Sequence, residues 1–599
     1  MKAETAEQLR AAIQEELDEV GHGSVGVALV SRDETIWVSG IGIADPDTHR
    51  EADEHTYWRL GSISKSFVGL ATLILKERGQ LRLTDEVAEL LPEIEIRNRW
   101  NDEAPVRVEH LLEHTAGLDD LHYKAYASND PTPLSLAQGL DHIRGSLYCR
   151  WRPGLHFSYS NAGPSVAAYI AQEIDGRQFE EFLADEVFEP LQMQGASLLL
   201  TDHLKEKLAT GYDGGGKPLP YRHLVTRPAG ALSATPKQMA NFVRMLLGRG
   251  RFEDRQLVLS ESIERMERSE TTLSSALLPD YGYGLGNFST AAHGFVFRGH
   301  NGGMPGYRAW YAYLPETGLG YCVMVSVSND RVASRINGLV AQHLVRDVET
   351  PDAPIITEMA ADINQWAGYY RPVTPRHEAR RYVQRLAEVV RIWHTDDLLI
   401  ADLPGRRVEF HPTTSRTFRG KLQRRTTVAL VEGPDGKRYV QGETGNLHKV
   451  STTVIWLERI LTAVLGLLTL SSPLWATTWV PMKLGGRLRG RPVLVRVWPL
   501  LSVISLLMAM AVVSVSTGGG SVERLVDQLG RPSLVAVSFF VLSWIFMLLA
   551  LQGLRFSLRS DPQRVGRFAR LHSIAVSVAC LVAAAYLLYH RAIGFPPWR

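Results

Sequence analysis

The stretch "GSISKSFVGL", Gly61 to Leu70, decides how this chain is read. Ser62 and Lys65 stand three residues apart at the mouth of an apolar run. Phe67, Leu70, Ala71 and Ile74 recur at helical spacing, so the segment from Ser62 to about Arg78 reads as an amphipathic helix with Ser62 in its first turn. Side chains three apart share a helix face, so Lys65 can meet Ser62. A serine hydroxyl is a poor nucleophile until a neighbouring base takes its proton. A partly desolvated, neutral lysine can be that base, because burial lowers a lysine pKa. The free N–H groups and positive dipole end of the helix would face a developing oxyanion. Taken alone, the same letters also describe a helix cap followed by a solvated lysine.

Two further stretches change that balance. "HFSYSNAG" carries Tyr159 and Asn161 just ahead of another helix, and "FRGHNGGMPGY" carries His300, Gly302 and Gly303 before the strand that begins near Tyr307. Glycines at such a place let a substrate backbone approach closely. A competing pattern is "HLLEH", His110 to His114, which matches an inverted zinc-protease motif. No third ligand stands in a matching downstream helix. A helix end leading into the "HTAGL" loop is the more ordinary reading, and no metal is expected.

In this order and at these separations the three stretches resemble the serine β-lactamase and penicillin-binding protein superfamily, and within it the branch of class C β-lactamases, DD-peptidases and esterases. The family's serine-x-x-lysine motif falls on Ser62 and Lys65, its tyrosine-x-asparagine motif on Tyr159 and Asn161, and its third motif on His300 to Gly302. "LLEHTAGL" from Leu111, "RPAGALSATPKQMANF" from Arg227 and "YGYGLGNF" from Tyr281 are similar too, so the resemblance covers nearly all of Ser24 to Val348. It implies acyl transfer without a cofactor. Ser62 would form an acyl-enzyme, and Lys65 and Tyr159 would share the proton, with the identity of the base left open. Asn161, His300 and Gly302 would bind substrate, and the backbone N–H groups of Ser62 and Gly303 would form the oxyanion hole. His300 departs from the family's lysine form. Histidine is mostly neutral at pH 7, which puts strong recognition of an anionic β-lactam in doubt.

Outward from these motifs, "MKAETAEQLRAAIQEELDEVG" reads as a helix capped by Thr5 and Gln8, with Leu9, Ile13, Leu17 and Val20 on one face. "SVGVALVSRDETIWVSGIGIAD" reads as a hairpin turning at Arg32 and Asp33. A mostly helical middle runs to about Leu247. Two strand patterns joined at Pro315 to Gly318 and an amphipathic helix, "ASRINGLVAQHLVRDV", then close the unit. The expected fold is α/β: an antiparallel sheet assembled from both termini, flanked by helices, with a helical subdomain, over residues 1–350. After the linker "ETPDAPIITE", residues 358–451 alternate in short runs, one turning at Asp435 and Gly436, and predict a small antiparallel β-module acting as a spacer or lid.

Composition shifts near Val454. Four apolar runs, Ile460 to Val480, Val497 to Ser516, Ser533 to Leu554 and Leu571 to Tyr589, each approach the ~20 residues that cross a bilayer, so a bundle of four transmembrane helices is expected over residues 455–590. The first joint carries Lys483, Arg487, Arg489, Arg491 and Arg496. The third carries Arg555, Arg559, Arg564, Arg567 and Arg570 against Asp561. The middle joint, with Glu523, Arg524, Asp527 and Arg531, is balanced. Positive loops stay in the cytoplasm, which puts both chain ends and the catalytic domain outside, and an export segment upstream of Met1 is expected. The spans hold almost no internal charge, which disfavours a transporter; Glu458 and Arg459 sit at the outer edge.

With 65 Lys+Arg against 64 Asp+Glu, no global field attracts nucleic acid. Cys149, Cys322 and Cys580 are too dispersed for a disulfide scaffold or thiolate cage. The expectation is a membrane-anchored serine hydrolase in the inner membrane that acts on a small-molecule or peptide amide or ester, D-amino-acid peptides and esters foremost. The alternative is a penicillin-binding sensor or transpeptidase that stays acylated and signals through its helices.

Overall fold

In the computed structural model, the described residues are 3–120, 127–128, 132–355, 357–377, 381–442, 445–516 and 527–598. Of the middle joint, Glu523 and Arg524 lie outside them.

The two ends of the first unit build one sheet. After helix α1 (Ala3–Asp18) come β1 (Ser24–Ser31), β2 (Thr35–Asp45) and β3 (Arg50–Glu51). The sheet then waits until β4 (Phe288–Ala292), β5 (Phe295–Met304), β6 (Tyr307–Leu314) and β7 (Leu319–Val325). The order is β4-β5-β6-β7-β1-β2-β3, antiparallel throughout, and it closes where Val25 faces Val325 and Leu29 faces Tyr321. Alternation along these strands sends Val25, Val27 and Val323 to one face, against Leu9, Ile13 and Leu17 of α1 and Ile336 and Val340 of the closing helix α5 (Asp330–Val345). Thr5 lies inside α1 rather than ahead of it, so the expected cap is not at that position.

The opposite face carries α2 (Ser64–Glu77), α3 (Ala162–Asp175) and α4 (Pro236–Leu247). Ser64 to Leu75 of α2 are all buried, so this helix is enclosed on every side rather than amphipathic. Phe67 stacks on Phe242 of α4 with centroids 4.3 Å apart. Burying a side chain of that size contributes about 1.5–3 kcal/mol. Thr235 accepts from the Gln238 N–H to start α4, and Asn329 does the same for α5 through Val332.

The second unit is the expected antiparallel β-module, closed into an eight-stranded barrel: β8 (Gly368–Pro372), β9 (Val390–His394), β10 (Leu399–Leu403), β11 (Arg406–Pro412), β12 (Thr417–Gly420), β13 (Val428–Glu432), β14 (Arg438–Gly442) and β15 (Gly445–Val450). β15 pairs back onto β8. Inward residues Tyr370, Ile392, Phe410, Phe418, Leu430 and Leu447, with Trp366 from the lead-in turn, fill the interior, as eight strands allow.

Ser451 alone separates β15 from α6 (Thr452–Leu484). Among the described residues, α6, α7 (Arg491–Ser516), α8 (Leu534–Leu558) and α9 (Arg567–Tyr589) are four helices long and apolar enough to cross a membrane. Val503, Phe546, Val576 and Ala584 meet inside the bundle. Leu467, Leu474, Leu534, Leu551 and Leu571 project outward, as a lipid-facing surface requires.

Candidate active site

Ser62 does not sit in the first turn of α2. It lies in a separate 3-10 turn, Gly61–Ile63, just ahead of the helix. Gly61 makes that turn possible, because its φ is +55°, a value costly for a side-chain-bearing residue. The turn presses against β5. A Cβ on Gly61 would lie 2.8 Å from the Gly303 nitrogen, and one on Gly302 would lie 3.0 Å from the Ser62 nitrogen. Two glycines thus let the main chains of Ser62 and Gly303 come side by side.

Lys65, the second residue of the buried helix, is wholly enclosed. Its Nζ donates to Ser62 Oγ at 3.0 Å, to Asn161 Oδ1 at 2.7 Å and to the Ala229 carbonyl at 2.6 Å. It also lies 4.9 Å from the centre of the Tyr159 ring. Burial holds the Lys65 ammonium well below the ordinary lysine range; the Asp120 charge opposes this and the Arg376 charge adds to it. Once deprotonated, the amine would keep its two N–H groups on Asn161 Oδ1 and the Ala229 carbonyl and turn its lone pair to the Ser62 hydroxyl, the geometry a base requires.

Asn161 is fixed from behind. Its backbone N–H and its Nδ2 both donate to Asp120 Oδ1, at 2.9 and 3.0 Å. Burial tends to raise the Asp120 carboxyl, but the nearby Arg376 and the hydrogen bonds it accepts bring it below the ordinary carboxylate range. Arg376 Nε donates to Asp120 Oδ2 at 2.5 Å, and its guanidinium lies 4.8 Å from the Tyr159 ring centre.

His300 on β5 is buried, and its Nε2 is 2.7 Å from the Tyr283 hydroxyl. Burial pushes its imidazole down to about 3, so it is neutral at physiological pH. The Tyr283 hydroxyl thus occupies the His300 Nε2, and the two rings meet edge to face with centroids 5.6 Å apart. Gly302 is buried against the Leu60 carbonyl, while Gly303 is exposed.

The zinc-protease pattern is taken apart by the fold. His110 Nδ1 accepts from the Arg107 N–H at 3.2 Å, Glu113 is enclosed with Arg265 at 2.6 Å, and His114 Nδ1 accepts from the Ser160 N–H at 3.3 Å. Among the described residues, no three His, Cys, Asp or Glu side chains cluster as a metal would need. His114 instead packs against Tyr159 at a tilt of 39°, with centroids 4.3 Å apart.

Three contributors escaped the sequence reading: the Ala229 carbonyl, Asp120 and Arg376. Ala229 and Asp120 lie in or beside stretches whose similarity was noted, but neither a carbonyl nor a carboxylate behind an asparagine leaves a spacing to read. Arg376 comes from another domain.

Residues 9–344 match the family model described as Beta-lactamase. Protein flp of Staphylococcus aureus (strain MW2) is 22% identical over 352 residues, which are 57% of this chain and 66% of that protein. Beta-lactamase of Yersinia enterocolitica is 27% identical over 203 residues, 34% of this chain and 50% of that protein. The chain therefore spans between half and two thirds of the length of these relatives. Among solved structures, the octameric penicillin-binding protein homologue from Pyrococcus abyssi aligns with a TM-score of 0.48 at 20% identity, covering 74% of this chain and 100% of that one. The family match runs over more than half of the 599 residues, and the chain belongs to the Beta-lactamase family.

Proposed function

We propose that this protein is a membrane-anchored serine hydrolase that cleaves an amide or ester through an acyl-enzyme on Ser62, directed at D-amino-acid peptides or small esters. The observation that carries the reading is the enclosed Lys65 amine 3.0 Å from Ser62 Oγ. Ser62 Oγ would attack the substrate carbonyl and pass its proton to the Lys65 amine. The oxyanion would be met by the Ser62 and Gly303 N–H groups, a kind of stabilisation in which each donor is worth about 10²-fold or more. Lys65, with Tyr159 beside it, would hand the proton to the leaving group, and water would then release the acyl group. Asn161 would align the substrate amide.

The catalytic domain is proposed to face the extracytoplasmic side of the inner membrane. The arginine-rich joints support this by the charge rule. So does Arg222 of the catalytic domain, which forms a two-pronged ion pair with Asp527 of the balanced joint at 2.7 and 2.9 Å.

The test is a fluorophosphonate or penicillin probe applied to the wild type and Ser62→Ala, followed by a chromogenic panel of esters, D- and L-peptide amides and nitrocefin. Labelling that needs Ser62, together with Ser62-dependent turnover of a panel ester or amide, supports the proposal. Labelling that needs Ser62 together with no turnover of any ester or amide in the panel refutes it in favour of a sensor, and labelling or turnover that survives Ser62→Ala removes the assignment.

A further inference from the structure

The barrel reaches into the hydrolase site. From the end of β8 the chain runs along the catalytic domain, where it is tied at several points. Arg150, itself buried, donates from Nη1 to the Pro375 carbonyl at 2.6 Å and from Nη2 to the Leu118 carbonyl at 2.8 Å and Ser158 Oγ at 3.0 Å. Asn446 Nδ2 of β15 donates to the Phe157 carbonyl at 2.8 Å and to Thr374 Oγ1 at 3.3 Å. Gln441 Nε2 of β14 donates to His156 Nδ1 at 2.9 Å. These ties grip the strip Leu155 to Tyr159 and aim the residue after Pro375 at the site.

That residue is Arg376. A continuous set of contacts leads from it to the nucleophile: 2.5 Å to Asp120, 2.9 and 3.0 Å from Asp120 to Asn161, 2.7 Å from Asn161 to Lys65, and 3.0 Å from Lys65 to Ser62. We propose that Arg376, supplied by the barrel, is a positioning residue of the hydrolase site, which neutralises Asp120 and so keeps Lys65 free to act as a base. The proposal rests on the Ser62 hydrolase reading and gives the barrel a part in it beyond spacing.

The physical argument is charge balance. Around Lys65 stand Asp120, Arg376, His114, His300 and Tyr159, with His377 next to Arg376. Burial keeps both His114 and His300 from protonating at neutral pH. Asp120 is therefore the charge that draws a proton onto Lys65, and Arg376 the one that cancels it. Without Arg376 the carboxylate field is opposed less, by His377 on Asp120 and by burial on Lys65, so the amine binds its proton more tightly and less free base is present at pH 7.

The experiment uses full-length protein in detergent with p-nitrophenyl acetate, an ester that does not titrate. The pH dependence of kcat/KM is measured for the wild type, Arg376→Gln, Asp120→Asn and the double variant, with melting curves alongside. Arg376→Gln is expected to move the acid limb up by about one pH unit, lowering kcat/KM at neutral pH about tenfold and recovering above the limb. Asp120→Asn is expected to move it down, and the double variant to return it towards the wild type. Should Arg376→Gln fail to fold, the downward shift in Asp120→Asn carries the test. An unmoved limb in either folded single variant, whether activity is intact or uniformly reduced, overturns the proposal and leaves the Ser62 reading standing. Loss of that reading would show separately, as activity surviving Ser62→Ala.

Discussion

A methyl group on Gly302 would lie 1.8 Å from the Leu60 carbonyl oxygen, well inside contact distance. The main chain of β5 therefore touches the turn that holds Ser62, with no room for any side chain between them. Gly302→Ala should push the turn and strand apart and lower kcat by about 10²-fold or more, the cost of losing an oxyanion donor. At Gly303 the nearest atom to a new Cβ is Arg308 Cδ at 3.6 Å, an ordinary contact. Gly303→Ala keeps its N–H and should leave kcat within about threefold, as substitutions away from tight contacts do. Equal losses in the two variants would contradict the geometry.

The barrel's hold on the catalytic domain should weaken in acid through His156. Gln441 Nε2 donates to both His156 Nδ1 and the Leu155 carbonyl, so that imidazole nitrogen must accept and the ring must be neutral. Burial pushes His156 from 6.5 down to about 4. Between these values the unfolded chain binds more protons than the folded one, so stability rises with pH there. As pH falls from 6.5 towards 4, a contribution of about 3 kcal/mol should fade. Denaturant titrations across this window should be steeper in pH for the wild type than for His156→Gln. Parallel curves would exclude the group.

Arg222 and Asp527 should be coupled. Their paired contacts are two-pronged and about three-quarters buried, a geometry worth about 1 kcal/mol. A double-mutant cycle of Arg222→Ala and Asp527→Ala, read by thermal unfolding in detergent, should return that coupling. Strict additivity would mean the contact contributes nothing.

Membrane orientation has its own check. The three native cysteines are buried, so a cysteine introduced at Arg489, in the joint between α6 and α7, is the reactive one. Arg489→Cys should be labelled by an impermeant maleimide in inside-out vesicles and spared in intact cells. The reverse pattern would place the catalytic domain in the cytoplasm.

Local signals were the ones that could be read in advance. Ser62 and Lys65 are three residues apart, and the period of Phe67, Leu70 and Ile74 marks the helix that carries them. The sheet from both termini followed from alternation in Val25 to Val30 and Tyr307 to Leu314, and the apolar helices from sheer length. The 3-10 turn at Ser62 was hidden, because it arises from Gly61 meeting Gly302 and Gly303 from a strand some 240 residues away, a tertiary contact that overrides local helical pattern. Barrel closure was hidden too: the pairing of β15 with β8 joins residues about 80 positions apart and leaves each short strand looking like any exposed hairpin. Arg376 looks in sequence like one more surface arginine in a basic linker. Only the docking of Pro375 onto Arg150 of the catalytic domain gives it a target.

Ser451 alone connects barrel to helix, and Glu458, about two turns further, is clamped by Arg371 and Arg385. A head mounted this way stands on a plinth, with no leash to swing on. With the helices seated in lipid, Ser62 would be held at a single altitude above the bilayer, and under the proposed hydrolase reading it would select among targets by where their scissile bond rides. Lengthening that junction with a glycine-serine insert would exchange this sorting by height for reach.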